Sequence, residues 1–232
     1  MARTIKIDNA LQKRFSKQEK KKKKELVSYF LIVCEGEKTE PNYFKSFPRK
    51  IGKIVFDLEF DGGGISTLKV VEKAIELRDK STRKYDRVWA VFDKDSFKAN
   101  SFNSAIKKAE SNGIHCAWSN EAFELWYLLH FHNRTTPMSR DDYKKAIEDS
   151  INSKLPKSAK KFVYKKNDIN FKQTLDKYGN VENAIKWARD LSIIINDEKF
   201  ANHNPQTMVF KLVEELLGKS KKLNKELVDK FG

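Results

Sequence analysis

The sequence predicts an α/β fold: a mainly parallel sheet flanked by helices, with a basic helical elaboration toward the C-terminus. Three observations predict it. Runs such as Tyr29-Phe30-Leu31-Ile32-Val33-Cys34 and Arg87-Val88-Trp89-Ala90-Val91-Phe92 are apolar almost throughout, as strands buried on both faces read. Segments of helical periodicity separate these runs, the spacing of parallel strands joined by right-handed crossovers. Both runs also end in acid, Glu35-Gly36 after the first and Asp93-Lys94-Asp95 after the second. Strand ends of this kind form the carboxyl edge at which open α/β sheets bind ligands.

The elements follow in order. Residues 1 to about 25 form a polar arm, in which Lys13 to Lys24 holds eight Lys/Arg and one acid, Glu19. Such a segment buries too little apolar surface to fold alone; a nucleic-acid-binding arm, a frayed helix extension and a solvated charge run all fit it. The first strand ends at Glu35. A helix is expected from Lys38 to Arg49, with Tyr43, Phe44 and Phe47 at helical spacing and Pro41 near the start, where its missing N–H costs little. Ile54 to Phe60 is a second strand, Asp61-Gly62-Gly63-Gly64 a turn, and Ser66 a candidate N-cap for a helix through about Lys80. The third strand is Arg87 to Phe92. A helix from about Ser101 to Ser111 is broken by Gly113, and Ile114 to Trp118 is the fourth strand. Ser119-Asn120 is then expected to cap a helix from Glu121 to about His130. The stretch from about 134 to 203 is less periodic. Pro205 opens a last amphipathic helix with Met208, Phe210, Leu212, Val213, Leu216 and Leu217, ended by Gly218. The expected division is a basic arm (1–25), an α/β core (26–133), a basic insertion or helical subdomain (134–203) and a C-terminal helix packing on the core (204–232).

Length and charge narrow the function. A chain of 232 residues is ample for one large core. Lys and Arg exceed Asp and Glu by 47 to 32, a net charge of +15. That excess favours a polyanion, and without a long apolar span nucleic acid is preferred to membrane. A basic protein that binds anions only loosely is the plainer alternative. Cys34 and Cys116 both fall inside strands, which suits a reduced protein and neither a disulfide framework nor a zinc site. With no apolar leader at the N-terminus, the expected location is the cytoplasm.

The acids carry the candidate chemistry. Glu35 at a strand end, with Gly36 permitting a tight turn, suits metal binding or general acid/base work; a helix-start acid favoured by the dipole is the alternative. Glu37 and Glu40 fit that alternative better, although Glu40 can reach the same edge. Asp93 and Asp95 are spaced i, i+2, so in an extended segment both face one cation. Carboxylates gathered at one edge repel unless neutralised, and a hard divalent ion such as Mg²⁺, with Mn²⁺ as the substitute, does so with few ligands and several waters. Glu124 sits in the apolar stretch Phe123-Glu124-Leu125-Trp126, where an unpaired carboxylate is costly; either a Lys or Arg pairs with it or it joins the acidic site. His130 and His132 fit satisfied helix-end histidines better than ligands. Lys154 to Lys172 holds seven Lys and one acid, Asp168, interleaved with Phe162, Tyr164 and Phe171. Such a stretch suits either a strand-tracking surface or a small subdomain with its own core. Gly62-Gly63-Gly64 is no phosphate-binding Walker loop, since no Gly-Lys-Ser/Thr follows. Strand-buried thiols exclude a cysteine nucleophile.

Taken together, the strand ending in Glu35 and the later strand ending in Asp93-Lys94-Asp95 resemble a Toprim domain. More specifically, the chain resembles the RloB-like family over Leu31 to Phe44 (LIVCEGEKTEPNYF), Val88 to Asp95 (VWAVFDKD), Ser119 to Phe131 (SNEAFELWYLLHF) and Asn204 to Leu217 (NPQTMVFKLVEELL). Where that family carries a proline and a small residue after Ser-Asn, this chain has Glu121-Ala122. The resemblance implies a Toprim-like sheet and a Mg²⁺-dependent nuclease of prokaryotic phage defence, in abortive infection or restriction, working with an ATPase partner. It implies Glu35 as acid/base or metal-poising group, Asp93 and Asp95 as metal ligands, and Glu124 and Glu40 as candidates for a second ion. Lys38, Lys157, Lys160, Lys161, Lys165 and Lys166 are the nucleic-acid-binding candidates; for the lysines from 154 onward and for the N-terminal arm the ground is composition. A non-catalytic nucleic-acid-binding subunit of an ATPase complex is the alternative. Strand passage and primer synthesis need further catalytic machinery, for which this chain has no room.

Overall fold

The computed structural model describes residues 26–51, 54–62, 66–194 and 197–231. The basic arm of residues 1–25 and the Gly63-Gly64 part of the glycine turn lie outside them. The elements run β1 (Leu26–Cys34), α1 (Thr39–Lys45), β2 (Lys50–Ile51), β3 (Ile54–Gly62), α2 (Thr67–Lys80), β4 (Arg87–Asp93), α3 (Ala99–Ser111), β5 (His115–Asn120), α4 (Glu124–Leu128), α5 (Arg140–Asn152), α6 (Phe171–Tyr178), α7 (Val181–Ile194), a 3₁₀ turn (Phe200–Asn202), β6 (Gln206–Thr207), α8 (Val209–Leu216) and α9 (Lys221–Phe231).

The protein is of the α/β class, and its sheet is mixed. In the order β2-β3-β1-β4-β5-β6, the strands β3, β1, β4 and β5 pair in parallel, while β2 and β6, of two residues each, pair antiparallel at the edges. Alternation along β1 sends Phe30, Ile32 and Cys34 to one face and Leu31 and Val33 to the other. The first set packs with Trp89, Val91 and the aromatics of α1 and α4, and the second with Val70, Val71, Phe102 and Ile106 of α2 and α3. Every residue of β4 is buried. A fully buried Phe, Leu or Ile contributes roughly 1.5–3 kcal/mol, so this two-sided burial fixes the register of β1 and β4 firmly. Their acidic ends are placed by that register.

Several boundaries differ from expectation. The first helix ends at Lys45, not Arg49, because Pro48 disfavours helical backbone at Phe47 and the chain then enters β2. Ser119 and Asn120 are not caps. They extend β5 and pair with Thr207 and Gln206 of β6, and the Ser119 and Thr207 hydroxyls lie 2.9 Å apart in a hydrogen bond. The helix expected from Glu121 therefore begins only at Glu124. Pro205 opens no helix; β6 follows it, and α8 begins at Val209. Gly218, with φ of 67°, does end α8, but the chain continues into α9, whose Leu223 and Leu227 are buried at i, i+4 spacing. Among the described residues no helix is long and apolar enough to cross a membrane.

Candidate functional site: an acidic cavity at the sheet's carboxyl edge

The ends of β1 and β4 are adjacent by register, with Cys34 opposite Val91. The ladder continues one step further, for the Glu35 N–H donates to the Val91 carbonyl at 2.8 Å. The chain must then turn sharply away from the sheet. Gly36 makes room for the acids there, since a Cβ at this position would lie 2.2 Å from Glu40 Oε2. Gly62, at the end of β3, lets the strand pass the Gly36 carbonyl, which an added Cβ would meet at 2.7 Å. Neither position accepts a side chain without displacing the site.

Glu35, Glu40, Asp93 and Asp95 line one cavity of about 430 Å³, together with Gly36, Ser66, Phe97, Arg140 and Lys166. Glu35 Oε2 accepts the Asp93 backbone N–H at 3.2 Å. Asp93 is buried, and its Oδ2 accepts the Phe123 N–H at 3.0 Å. Phe123 is itself wedged among rings of α1, with centroids 5.8 Å from Tyr43 and 5.9 Å from Phe44. The aromatic pattern noted at 43, 44 and 47 thus holds the backbone that orients Asp93. Asp95 has φ of 40° and its N–H donates to the Glu121 carbonyl at 3.0 Å. A left-handed backbone is tolerated by Asp better than by most residues, and Asp95 lines the cavity.

Glu40 and Glu124 are both buried. Glu124 Oε1 accepts the Tyr164 hydroxyl at 3.3 Å, and among the described residues no Lys or Arg side chain hydrogen-bonds to it. Glu40 Oε2 is buried with no hydrogen-bond partner among the described residues. Buried carboxylates that share a site repel one another, and the proton affinities respond accordingly. Burial, with Glu40 and Asp95 adding to it, raises Glu35 from 4.5 to about 7, against the Asp93 N–H and Arg140. Burial first, and then Glu40, Glu124 and Glu35, push Asp93 well above the usual carboxylate range. Glu40 is raised by burial and by Glu124, with Lys166 and Arg140 opposing.

The principal counter-charge is a residue that sequence reasoning missed. Arg140, the first residue of α5, places Nη1 3.2 Å from Asp95 Oδ2 and Nη2 3.6 Å from Asp93 Oδ2. Among the described residues no group of three or more His, Cys, Asp and Glu side chains is arranged to hold a metal ion. The only signal for Arg140 was a cation directly after the Ser139 cap, the end of a helix where a positive charge is disfavoured.

The lysine candidates separate by position. Lys38 and Lys166 line a second cavity of about 340 Å³ with Gly36, Glu37, Thr39, Glu40 and Asn167, contiguous with the first through Gly36, Glu40 and Lys166. Thr39 Oγ1 donates to Asn167 Oδ1 at 2.8 Å and Asn42 Nδ2 to the Asn167 carbonyl at 3.2 Å, pinning the loop before α6 beside α1. Lys157, Lys160, Lys161 and Lys165 are exposed on the same 153–170 stretch but line neither cavity. Its aromatics are not a stacking surface: Tyr164 and Phe171 are buried in the main core and Phe162 packs against it. His130 is buried, its Nδ1 at 3.0 Å from the Trp126 carbonyl, and burial lowers it to about 4; His132 Nε2 pairs with Ser150 Oγ at 2.8 Å. Both are satisfied away from the acids.

The fold and the cavity together define an α/β protein with an acidic site at the carboxyl ends of parallel strands. The chain belongs to the RloB-like protein family, whose model matches residues 30–216. No curated protein and no solved structure matches it.

Proposed function

We propose that the protein is a divalent-metal-dependent nuclease of Toprim type, hydrolysing phosphodiester bonds in RNA or DNA. The carrying observation is the under-compensated acid cluster: Glu35, Glu40, Asp93 and Asp95 share one cavity with Arg140 and Lys166 as its cations. A buried carboxylate oxygen with no hydrogen-bond partner among the described residues, Glu40 Oε2, is what a hard cation satisfies, and an all-oxygen donor set suits Mg²⁺ or Mn²⁺. On this reading Asp93 and Asp95, with Glu40 and Glu124 as candidates for a second ion, hold the metal. When bound, the cation supplies charge to the phosphodiester and acidifies a water.

Glu35, which burial lifts to about 7 in the absence of a bound cation, is a carboxyl suited to acid/base work on the attacking water or the leaving oxygen. Lys38 and Lys166 flank the acids and take the neighbouring phosphates; Lys157, Lys160, Lys161 and Lys165 extend that basic surface. The net charge of +15 supports a polyanionic substrate. An effector role in anti-phage or abortive-infection defence, with an ATPase partner and a cytoplasmic location, rests on the family resemblance alone.

A second reading has one observation in its favour. Arg140 already pairs with Asp93 and Asp95, as in a nucleic-acid-binding subunit whose acids are only structural. Incubating purified protein with total RNA and plasmid DNA, in Mg²⁺ or Mn²⁺ beside EDTA, separates the two. Cutting that disappears in EDTA and in Glu35→Gln supports the nuclease and names its substrate class. Binding of both nucleic acids without cutting, in either metal and with the neighbouring gene's product added, overturns it.

A further inference from the structure

Arg140 and Arg87 are the same residue type held in opposite ways. Arg87 is 8% exposed and donates through Nε to Glu215 Oε1 at 2.8 Å and through Nη2 to Glu226. Arg140 is 30% exposed and faces two acids, but its Asp93 contact of 3.6 Å is charge attraction rather than a hydrogen bond. Its Nε is buried with no hydrogen-bond partner among the described residues. A guanidinium with five donors makes its strong pairs as a bidentate fork, and Arg140 has not closed one. It also opens α5, where the helix dipole disfavours a cation; the acids across the cavity are what hold it there. Arg140 is therefore placed by the acid cluster and bound to it incompletely.

We infer that Arg140 is an exchangeable internal cation: it neutralises Asp93 and Asp95 when no divalent ion is held, and transfers to the phosphate backbone of the bound strand when one is. The inference deepens the metal-dependent reading and rests on it. The exchange needs no covalent chemistry. A divalent ion at Asp93 and Asp95 repels the guanidinium; a planar, weakly hydrated fork is well matched to a phosphate diester; and the side chain already reaches the mouth of the cavity. The arriving ion brings two positive charges where the departing guanidinium took one, and the guanidinium is neutralised by the phosphate diester, so neither the acids nor Arg140 is left uncompensated.

The test is Mn²⁺ affinity, read from the spectrum of free aqueous Mn²⁺, for wild type, Arg140→Gln and Arg140→Lys, with strand affinity measured with and without Mn²⁺. Removing a competing ion pair is expected to tighten Mn²⁺ binding by about tenfold in Arg140→Gln, and by less in Arg140→Lys, which keeps the charge. Mn²⁺ is expected to tighten strand binding of wild type more than that of Arg140→Gln. Unchanged or weaker Mn²⁺ binding by a cooperatively melting Arg140→Gln overturns the exchange and makes Arg140 a residue that positions the acids. If Arg140→Gln does not fold, Arg140→Lys decides: a gain in Mn²⁺ affinity supports the exchange and no gain overturns it. Absence of Mn²⁺ binding in all three chains overturns the metal reading itself, and the exchange with it.

Discussion

The Glu35 carboxylate accepts the Asp93 backbone N–H at 3.2 Å, so the side chain at the end of β1 is tied to the end of β4. Burial wins over that hydrogen bond and leaves the Glu35 carboxyl at about 7 instead of 4.5. The sign of the consequence follows from linkage. Below about 4.5 folded and unfolded chains both hold the proton; as pH rises toward 7 the unfolded chain releases it first, and stability is lost. Asp93 and Glu40, also raised by burial, add with the same sign. In EDTA the melting temperature is therefore expected to fall between about pH 5 and 7.5, with a shallower fall in Glu35→Gln. The Gln oxygen still accepts the Asp93 N–H, so the fold persists while cleavage drops by about 10²-fold or more. A flat or rising melting temperature across that window would falsify the assignment.

Gly36 separates the geometry of the acids from their charge. An added Cβ meets Glu40 Oε2 at 2.2 Å, so the Glu40 carboxylate must swing away from the other acids into the cavities it lines. Gly36→Ala is expected to cost little stability, about 1 kcal/mol or less, and to weaken both cleavage and stabilisation by Mg²⁺ by displacing Glu40. Urea denaturation in EDTA and again in Mg²⁺ checks this. Full Mg²⁺ stabilisation in the variant would remove Glu40 from the ligand set.

The acids were legible in the sequence because apolar runs buried on both faces leave few registers, and register fixes where Glu35 and Asp93 emerge. Glu124 was legible as an acid in apolar company, and Glu40 only as a helix-start acid able to reach the same edge. What escaped was set by contacts distant in sequence. Arg140 meets Asp93 and Asp95 only after the chain has built α3, β5 and α4, and one cation behind a serine carries little local signal. Ser119 and Asn120 match an N-cap until β6 supplies the antiparallel partner that draws them into the sheet. The aromatics at 162, 164 and 171 fit a stacking surface equally well until α4 and its neighbours bury them. Pattern reports that a residue is buried, and tertiary structure decides against what.

On the proposed function, Lys38 and Lys166 serve the strand rather than the fold. Both are exposed, and both line the cavity beside the acids. Lys38→Ala with Lys166→Ala is expected to leave the melting temperature unchanged and to weaken nucleic-acid binding. If each lysine meets one phosphate, the slope of log affinity against log salt becomes shallower by about 1.5. Titration of a labelled strand at several salt concentrations gives the slope. An unchanged slope would put the strand elsewhere, with the lysines 157 to 165 as the next candidates.

Arg87 predicts the opposite behaviour, stability without chemistry. It lies at the far end of β4 from Asp93, between Glu215 of α8 and Glu226 of α9, and Glu215 Oε2 also accepts the Trp89 indole N–H at 2.9 Å. Removing one partner of a buried pair strands the other, at a cost of about 3–5 kcal/mol. Arg87→Ala is therefore expected to be strongly destabilised in urea, most of the loss coming from Glu215, which burial already raises above its ordinary value. Adding Glu215→Gln in the same chain removes the stranded charge while keeping an acceptor for Trp89, and should restore a substantial part of the loss. Neither change touches the acidic cavity, so Mn²⁺ affinity per folded molecule should match wild type. If the double variant is no more stable than Arg87→Ala, the ion pair is not what joins α8 and α9 to the sheet, and the apolar contacts of Leu212, Leu216, Leu223 and Leu227 carry that junction instead.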